Sequence, residues 1–378
     1  MAHMTSVVKE RERNTSLDLI RSIAIFLVVL NHAFEHTYGY ELEYINSVSL
    51  HVKIFAFAGY TLGRIGVPLF LMLTGYLLLT RKYDLQGIKS FYKKNLLPLL
   101  LTWEIWVLIY HILSCIHHHT GFQLKLYLRE ALFLKRVDIP HAWYVPVILG
   151  IYLFIPLLAK ALEALDWKIL LILAAVMFAF WFVAPSANLL KLMEGASEQT
   201  QFLPQLNLYF SGGSYSLYLM AGYGARKRKD LIQQLLKKRI ICLVVIAVCI
   251  VLFAFTVTAQ IFLYNKEYAY TVWYTFFTIP IIGAFVFCLL MQIRPGKILG
   301  SIVISIAQCA FGIYLIHELC IIPAVDLFGH LLDNSTEVIV LSIGAFLISY
   351  GIVKVVSLIP FCGKILFLKK ASNNIETK

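Results

Sequence analysis

Apolar runs of about 20 residues recur along the whole chain, and a run of that length spans the hydrocarbon core of a bilayer as a helix. Ten segments fit: 17–37, 62–80, 96–115, 142–159, 169–185, 207–223, 240–260, 272–291, 301–322 and 338–360. Hydrocarbon offers the backbone no hydrogen-bond partners, so a chain built this way folds as a helical bundle. Hydrophobic residues make up 60% of the 378 and charged residues only 14%, where a soluble domain carries roughly 25%. The expected fold is therefore an all-α, polytopic membrane bundle of about ten helices. It occupies 16–362, between an N-terminal tail (1–15) and a basic, polar C-terminal tail (363–378). Met1 to Met4 have the look of a cloning scar, and the first apolar run is too long for a signal peptide.

Charge gives the orientation. With both termini in the cytoplasm, 23 of the 33 Lys and Arg residues fall on inner segments and 7 on outer ones, as the positive-inside bias requires. The net charge of +12 is thus a topology signal, and no soluble basic domain remains to bind nucleic acid. The basic loop Arg81–Asn95 faces anionic lipid headgroups on the inner side. The seven cysteines lie in apolar segments without metal-binding spacing. Two outer connections, 38–61 and 116–141, are long, and loops of that length are often functional. There is no internal repeat of the kind that builds many transporters.

Some polar residues stand in the apolar segments. In LDLIRSIAIFLVVLNH, Arg21 and His32 are eleven positions apart. That spacing puts them on one helix face, offset by about 20°, and about 16 Å apart along the axis. A charge in hydrocarbon is expensive and usually functional. Asp18, three residues before Arg21, is placed to pair with it locally. His32 titrates near working pH and is a candidate general base. Arg64 opens the second segment. His141, Trp143 and Tyr144 stand at the outer end of the fourth. In the ninth, Ser305 lies in the inner half, and Tyr314, His317 and Glu318 form one patch near the outer end. Lys93 and Lys94 lie on the inner side with Arg21. Bland readings exist for each: snorkelling for Arg21, interfacial anchoring for Arg64, an aromatic belt for Trp143 and Tyr144. Two intramembrane histidines, His32 and His317, at similar expected depth argue for a site. An imidazole on one side and cations on the other suit transfer of a group from a phosphate-bearing donor inside to an acceptor outside.

Five segments, in this order, resemble the acyltransferase-3 family of integral membrane O-acyltransferases: LDLIRSIAIFLVVLNH, RIGVPLFLMLTGYLLL, FYKKNLLP, HAWYVPVILGIYLFIPLL and SIAQCAFGIYLIH. The resemblance runs from Asp18 to about Tyr350. It implies a multi-pass enzyme of a bacterial plasma membrane that moves an acyl group, by default acetyl, from cytoplasmic acyl-CoA. No tightly bound cofactor is implied; acetyl-CoA is the co-substrate. The implied acceptor is a hydroxyl of an envelope glycan or lipid-linked sugar. By this resemblance His32, with Arg21 and Asp18, forms the catalytic set. Arg21, Lys93, Lys94 and Ser305 would hold the donor. Arg64, His141, Trp143, Tyr144, Tyr314, His317 and Glu318 would shape the acceptor end. Thr74 replaces a usual Ser, and Lys93 and Lys94 stand where Arg is common, which removes a planar phosphate-binding fork. The rival reading from another class is a secondary transporter that uses Arg21, His32 and His317 as an intramembrane relay. A scaffold is a third reading, and it would leave the buried Arg and His without a task.

Overall fold

A computed structural model describes residues 13–193, 213–328, 333–359 and 361–369. Among them there is no strand. The helices are α1 (Thr15–Tyr38), α2 (Leu42–Ser47), α3 (Leu50–Gly63), α4 (Gly66–Leu78), α5 (Leu85–Phe91), α6 (Leu97–His117), α7 (Leu124–Ala131), α8 (Tyr144–Ala164) and α9 (Trp167–Phe178). They continue with α10 (Ala184–Met193), α11 (Tyr215–Lys227), α12 (Lys229–Lys237), α13 (Arg239–Asn265), α14 (Thr278–Leu290), α15 (Lys297–Phe328), α16 (Asn334–Val356) and α17 (Cys362–Phe367). Eight helical stretches among the described residues are long and apolar enough to cross a bilayer.

The expectation of about ten spans changes in two places. At 207–223 the described part is the short α11, and 207–212 lies outside the described residues. At 272–291 only α14, 13 residues, is helical. The segment before it is irregular, with turns at 274–277, and is tied sideways: the buried Gln260 accepts a hydrogen bond from Val272 N at 2.8 Å, and Ser186 Oγ accepts one from Phe277 N at 2.8 Å. Non-helical backbone survives at membrane depth where protein groups replace the missing ladder.

The second span also starts earlier than its hydropathy suggests. It runs from Leu50 to Leu78, so most of the outer connection 38–61 is helix. The helix breaks at Arg64–Ile65, between α3 and α4. Pro68 has no N–H to give the Arg64 carbonyl four residues back, and a missing rung there allows the break. The outer connection 116–141 likewise contains α7.

The first helix sits in the middle. Asn14 caps it, accepting from Ser16 N at 3.1 Å, and Gly39 ends it in the left-handed region at φ 60°. α15, α3, α16 and α4 pack around it, and 67% of its apolar window is buried, against 11% for α13. A helix this apolar and this exposed, as α13 is, faces lipid. The α1–α15 seam is parallel: Ser22 Oγ donates to Val303 O at 2.9 Å near one end, and His32 meets Glu318 near the other. Both helices therefore carry their histidines to the same end of the bundle.

Candidate active site

The site forms where α1, α15 and the start of α8 meet. His32 is buried, with its Nδ1 2.9 Å from Glu318 Oε1 and 3.3 Å from Glu35 Oε2. The His32–Glu318 contact is at ion-pair distance but off the N–H line, so neither atom has an aligned hydrogen bond. The other carboxylate oxygen of Glu318 is 2.8 Å from His36 Nε2. One fully buried carboxylate thus bridges two imidazoles a turn apart on α1. Leaving such a charge unpaired would cost several kcal/mol, and the two histidines are its partners. The carboxylate lies on the Nδ1 side of His32, the side from which the acid of a catalytic triad supports its histidine.

Two more imidazoles complete the cluster. The ring of His317 lies 5.2 Å from that of His32 and 4.8 Å from that of His141. Donor–acceptor balance assigns their protons. His317 Nδ1 faces two backbone carbonyls, Tyr314 O at 2.7 Å and Ile313 O at 3.2 Å, so it carries the hydrogen and its buried Nε2 is a lone pair. Tyr110 Oη donates to Leu315 O at 2.6 Å, so it accepts from His141 Nε2 at 3.2 Å, and the buried Nδ1 of His141 is a lone pair. Tyr314 donates its hydroxyl to the His141 carbonyl, which fixes the 3-10 turn Pro140–Trp143 against α15. His32, His317 and Glu318 could also offer ligand atoms within 4.8 Å of one another to a cation. The Glu318 charge already has two imidazoles for company.

An aromatic wall continues from this cluster. Tyr144 packs edge-on against Tyr314, and Trp143 lies against Tyr215, Trp273 and Tyr274. Behind Trp273 and Tyr274 sits Arg64, 4% exposed. A cleft of about 300 Å³ opens beside Ala142, with Trp103, Glu130, Lys135, Arg136 and Trp143 among its walls.

At the opposite end of α1, Asp18 does not pair with Arg21. It binds Arg13 through two hydrogen bonds, 2.7 and 2.9 Å. Arg13 precedes the helix and can wrap onto the carboxylate as a fork, which an Arg one turn up the same helix cannot. Arg21 is half-buried, within Coulombic reach of Asp18 and, on α8, of Tyr152, and has no hydrogen bond or ion pair among the described residues. Lys93 and Lys94 are exposed in a π-helical turn, Tyr92–Leu96, that leads into α6. Ser305 turns to α16, sharing a hydrogen bond with Tyr350 Oη at 2.6 Å and accepting one from Lys354 Nζ at 3.0 Å.

The structure therefore brings His32, His141, Tyr314, His317 and Glu318 together, with Tyr144, Trp143 and Arg64 as successive neighbours. It sets Arg21 apart along α1 and engages Ser305 with α16. Three contributors were not singled out from the sequence. Glu35 and His36 follow His32 by three and four residues, so helical periodicity could have found them. Tyr110 arrives from α6 with no local signal at all.

Comparison with curated proteins and with solved structures gives no match. Comparison with protein families gives one: the acyltransferase domain of the acyltransferase-3 type matches residues 14–354, nearly the whole chain and every helix that builds the site. With a membrane bundle, a buried histidine cluster and that match together, the chain belongs to the acyltransferase-3 family of membrane acyltransferases.

Proposed function

We propose that this chain moves an acyl group, most readily acetyl, from cytoplasmic acyl-CoA to a hydroxyl of an envelope glycan or lipid-linked sugar at the outer face. The observation that carries the proposal is the Glu318 carboxylate 2.9 Å from Nδ1 of the buried His32. A base must release its proton again, and an acid fixed on the far side of the ring supports the imidazolium while it lasts. The unpaired Arg21, about 16 Å down the same helix face, is suited to a CoA phosphate. Lys93 and Lys94, exposed at the mouth of α6, add point charges for the same donor.

In the transfer, the acceptor hydroxyl oxygen attacks the thioester carbonyl carbon while His32 takes its proton. The C–S bond then breaks, and the CoA thiolate leaves and receives that proton. The product is the ester and free CoA. The aromatic wall of Tyr144, Tyr314 and Trp143 excludes water from the thioester. The buried lone pairs of His141 and His317 are acceptors, so they suit the hydroxyl groups of a sugar.

The test uses the full chain in nanodiscs with radiolabelled acetyl-CoA and envelope glycan. His32→Ala should lower kcat by about 10²- to 10⁴-fold, the usual contribution of a general base. Transfer by His32→Ala at the parent rate would remove His32 from this role.

A further inference from the structure

Arg64 is a buried cation with no anion in ion-pair contact among the described residues. Its guanidinium sits at the break between α3 and α4, stacked against three rings: 4.5 Å from the centroid of Tyr60, 4.7 Å from Trp273 and 5.1 Å from Tyr274. It donates to the hydroxyls of Tyr60 and, at 3.2 Å, of Tyr274, while its Nε–H is buried and has no partner. Tyr60 gives its own proton to Thr271 Oγ1 at 3.2 Å, so its oxygen can only accept from Arg64. No carboxylate lies within ion-pair distance of Arg64 among the described residues. Glu35, the acid within Coulombic reach, directs its carboxylate to His32 instead. Cation–π contacts and phenol hydrogen bonds offset part of the cost of burying a guanidinium, but they do not neutralise its charge as an anion would. An arginine kept this way, with a spare N–H, is built to meet a negative group that arrives.

We infer that Arg64 and its ring cage form a subsite for a carboxylate carried by a substrate. The cage reaches the surface at Trp273, 40% exposed, whose ring packs against Trp143, a wall of the cleft beside Ala142. Glu35 links the two regions, since it faces His32 and senses Arg64. A carboxylate seated on Arg64 therefore belongs to a molecule whose other part reaches His32. It can be the far end of a dicarboxylic acyl group on the donor, or an acidic sugar on the acceptor. The inference deepens the transferase reading by adding a charge requirement, and binding measurements separate its failure from failure of that reading, because they need no transfer.

The experiment is ligand-induced thermal stabilisation of the full chain in nanodiscs, converted to Kd. One arm compares succinyl-CoA with acetyl-CoA; the other compares glucuronate with glucose. If the carboxylate rides on the donor, succinyl-CoA binds about tenfold or more tightly than acetyl-CoA, the gain of one charge-assisted contact. If it rides on the acceptor, the gap appears between the sugars. In either case, with the neutral ligand of each pair as the internal reference, Arg64→Gln weakens binding of the carboxylate-bearing ligand and abolishes the gap. Arg64→Lys, which keeps the charge and loses the fork, narrows it and serves if the Gln variant does not fold. Parent protein that shows no gap in either arm overturns the inference, and so does a gap that survives in the foldable variant.

Discussion

Glu318 governs how His32 is presented, and its replacement separates that role from simple packing. Glu318→Gln keeps the volume and a hydrogen-bonding head but removes the charge between His32 and His36. We expect kcat to fall by about 10²-fold or more with KM little changed, as for a triad acid that orients its base. Glu318→Asp should recover part of that loss. Steady-state kinetics on both variants checks this, and a loss confined to KM would make Glu318 a binding group only. Some of the residue-level picture is legible in the sequence. Arg21 and His32 share a face by spacing alone, and His317 was expected at the depth of His32. The partner of Asp18 is not legible, because helical periodicity favours Arg21 while the residue that reaches the carboxylate, Arg13, lies before the helix. Nor is Arg64's ring cage, since Tyr60 alone is near it in sequence and Trp273 and Tyr274 arrive from more than 200 positions away.

Among elements, α4 crosses α11 with backbone close against backbone. A Cβ at Gly222 would fall onto the Met72 carbonyl, and one at Gly75 onto the Leu219 carbonyl. Both obstacles are backbone, so the helices cannot yield by a rotamer change. Close approach through small residues is how membrane helices associate without a hydrophobic drive. Gly222→Leu should destabilise the fold by about 1–3 kcal/mol or more, the ordinary cost of overpacking. Gly344→Leu, on α16 with open space around its Cα, should change little. Thermal unfolding in detergent compares the two, and equal stability would mean that this crossing contributes nothing. The break at Arg64 shows why hydropathy misjudged the second span. Averaged hydropathy reports how apolar a window is. It does not report that Pro68 withholds one hydrogen bond, or that the helix resumes on the other side.

For the molecule as a whole, hydropathy gave the class of fold and most of the spans but could not tell an interior helix from a lipid-facing one. α1 and α13 are both apolar, with mean hydropathies of 1.7 and 3.3 in their windows, yet they differ sixfold in burial. The difference lies in polar residues on α1, namely Ser16, Asp18, Ser22, Asn31 and His32, all buried against neighbours. The stretch before α14 reads as membrane helix because it is apolar, and its Val272, Tyr274 and Phe276 are apolar because they are buried in protein. The orientation proposed from charge has its own check. A membrane-impermeant maleimide on intact cells should label a cysteine placed at Glu267 and leave one at Lys82 unlabelled, since both positions are exposed but lie at opposite ends of the proposed topology. The reverse pattern would invert the direction of transfer.

The central position of α1 has a consequence for how the protein is made. Among the described spans α1 is synthesised before the others, shares the largest buried fraction with the α3–α4 stretch, and has as chief neighbour α15, the last but two of the seventeen described helices. Until then His32 and His36 lack the Glu318 carboxylate, which α15 brings. A nascent chain stopped at Arg294 should therefore be unstable in the membrane and cleared quickly, whereas one carried through Val356 should persist, and pulse-chase decay of the two lengths would reveal it.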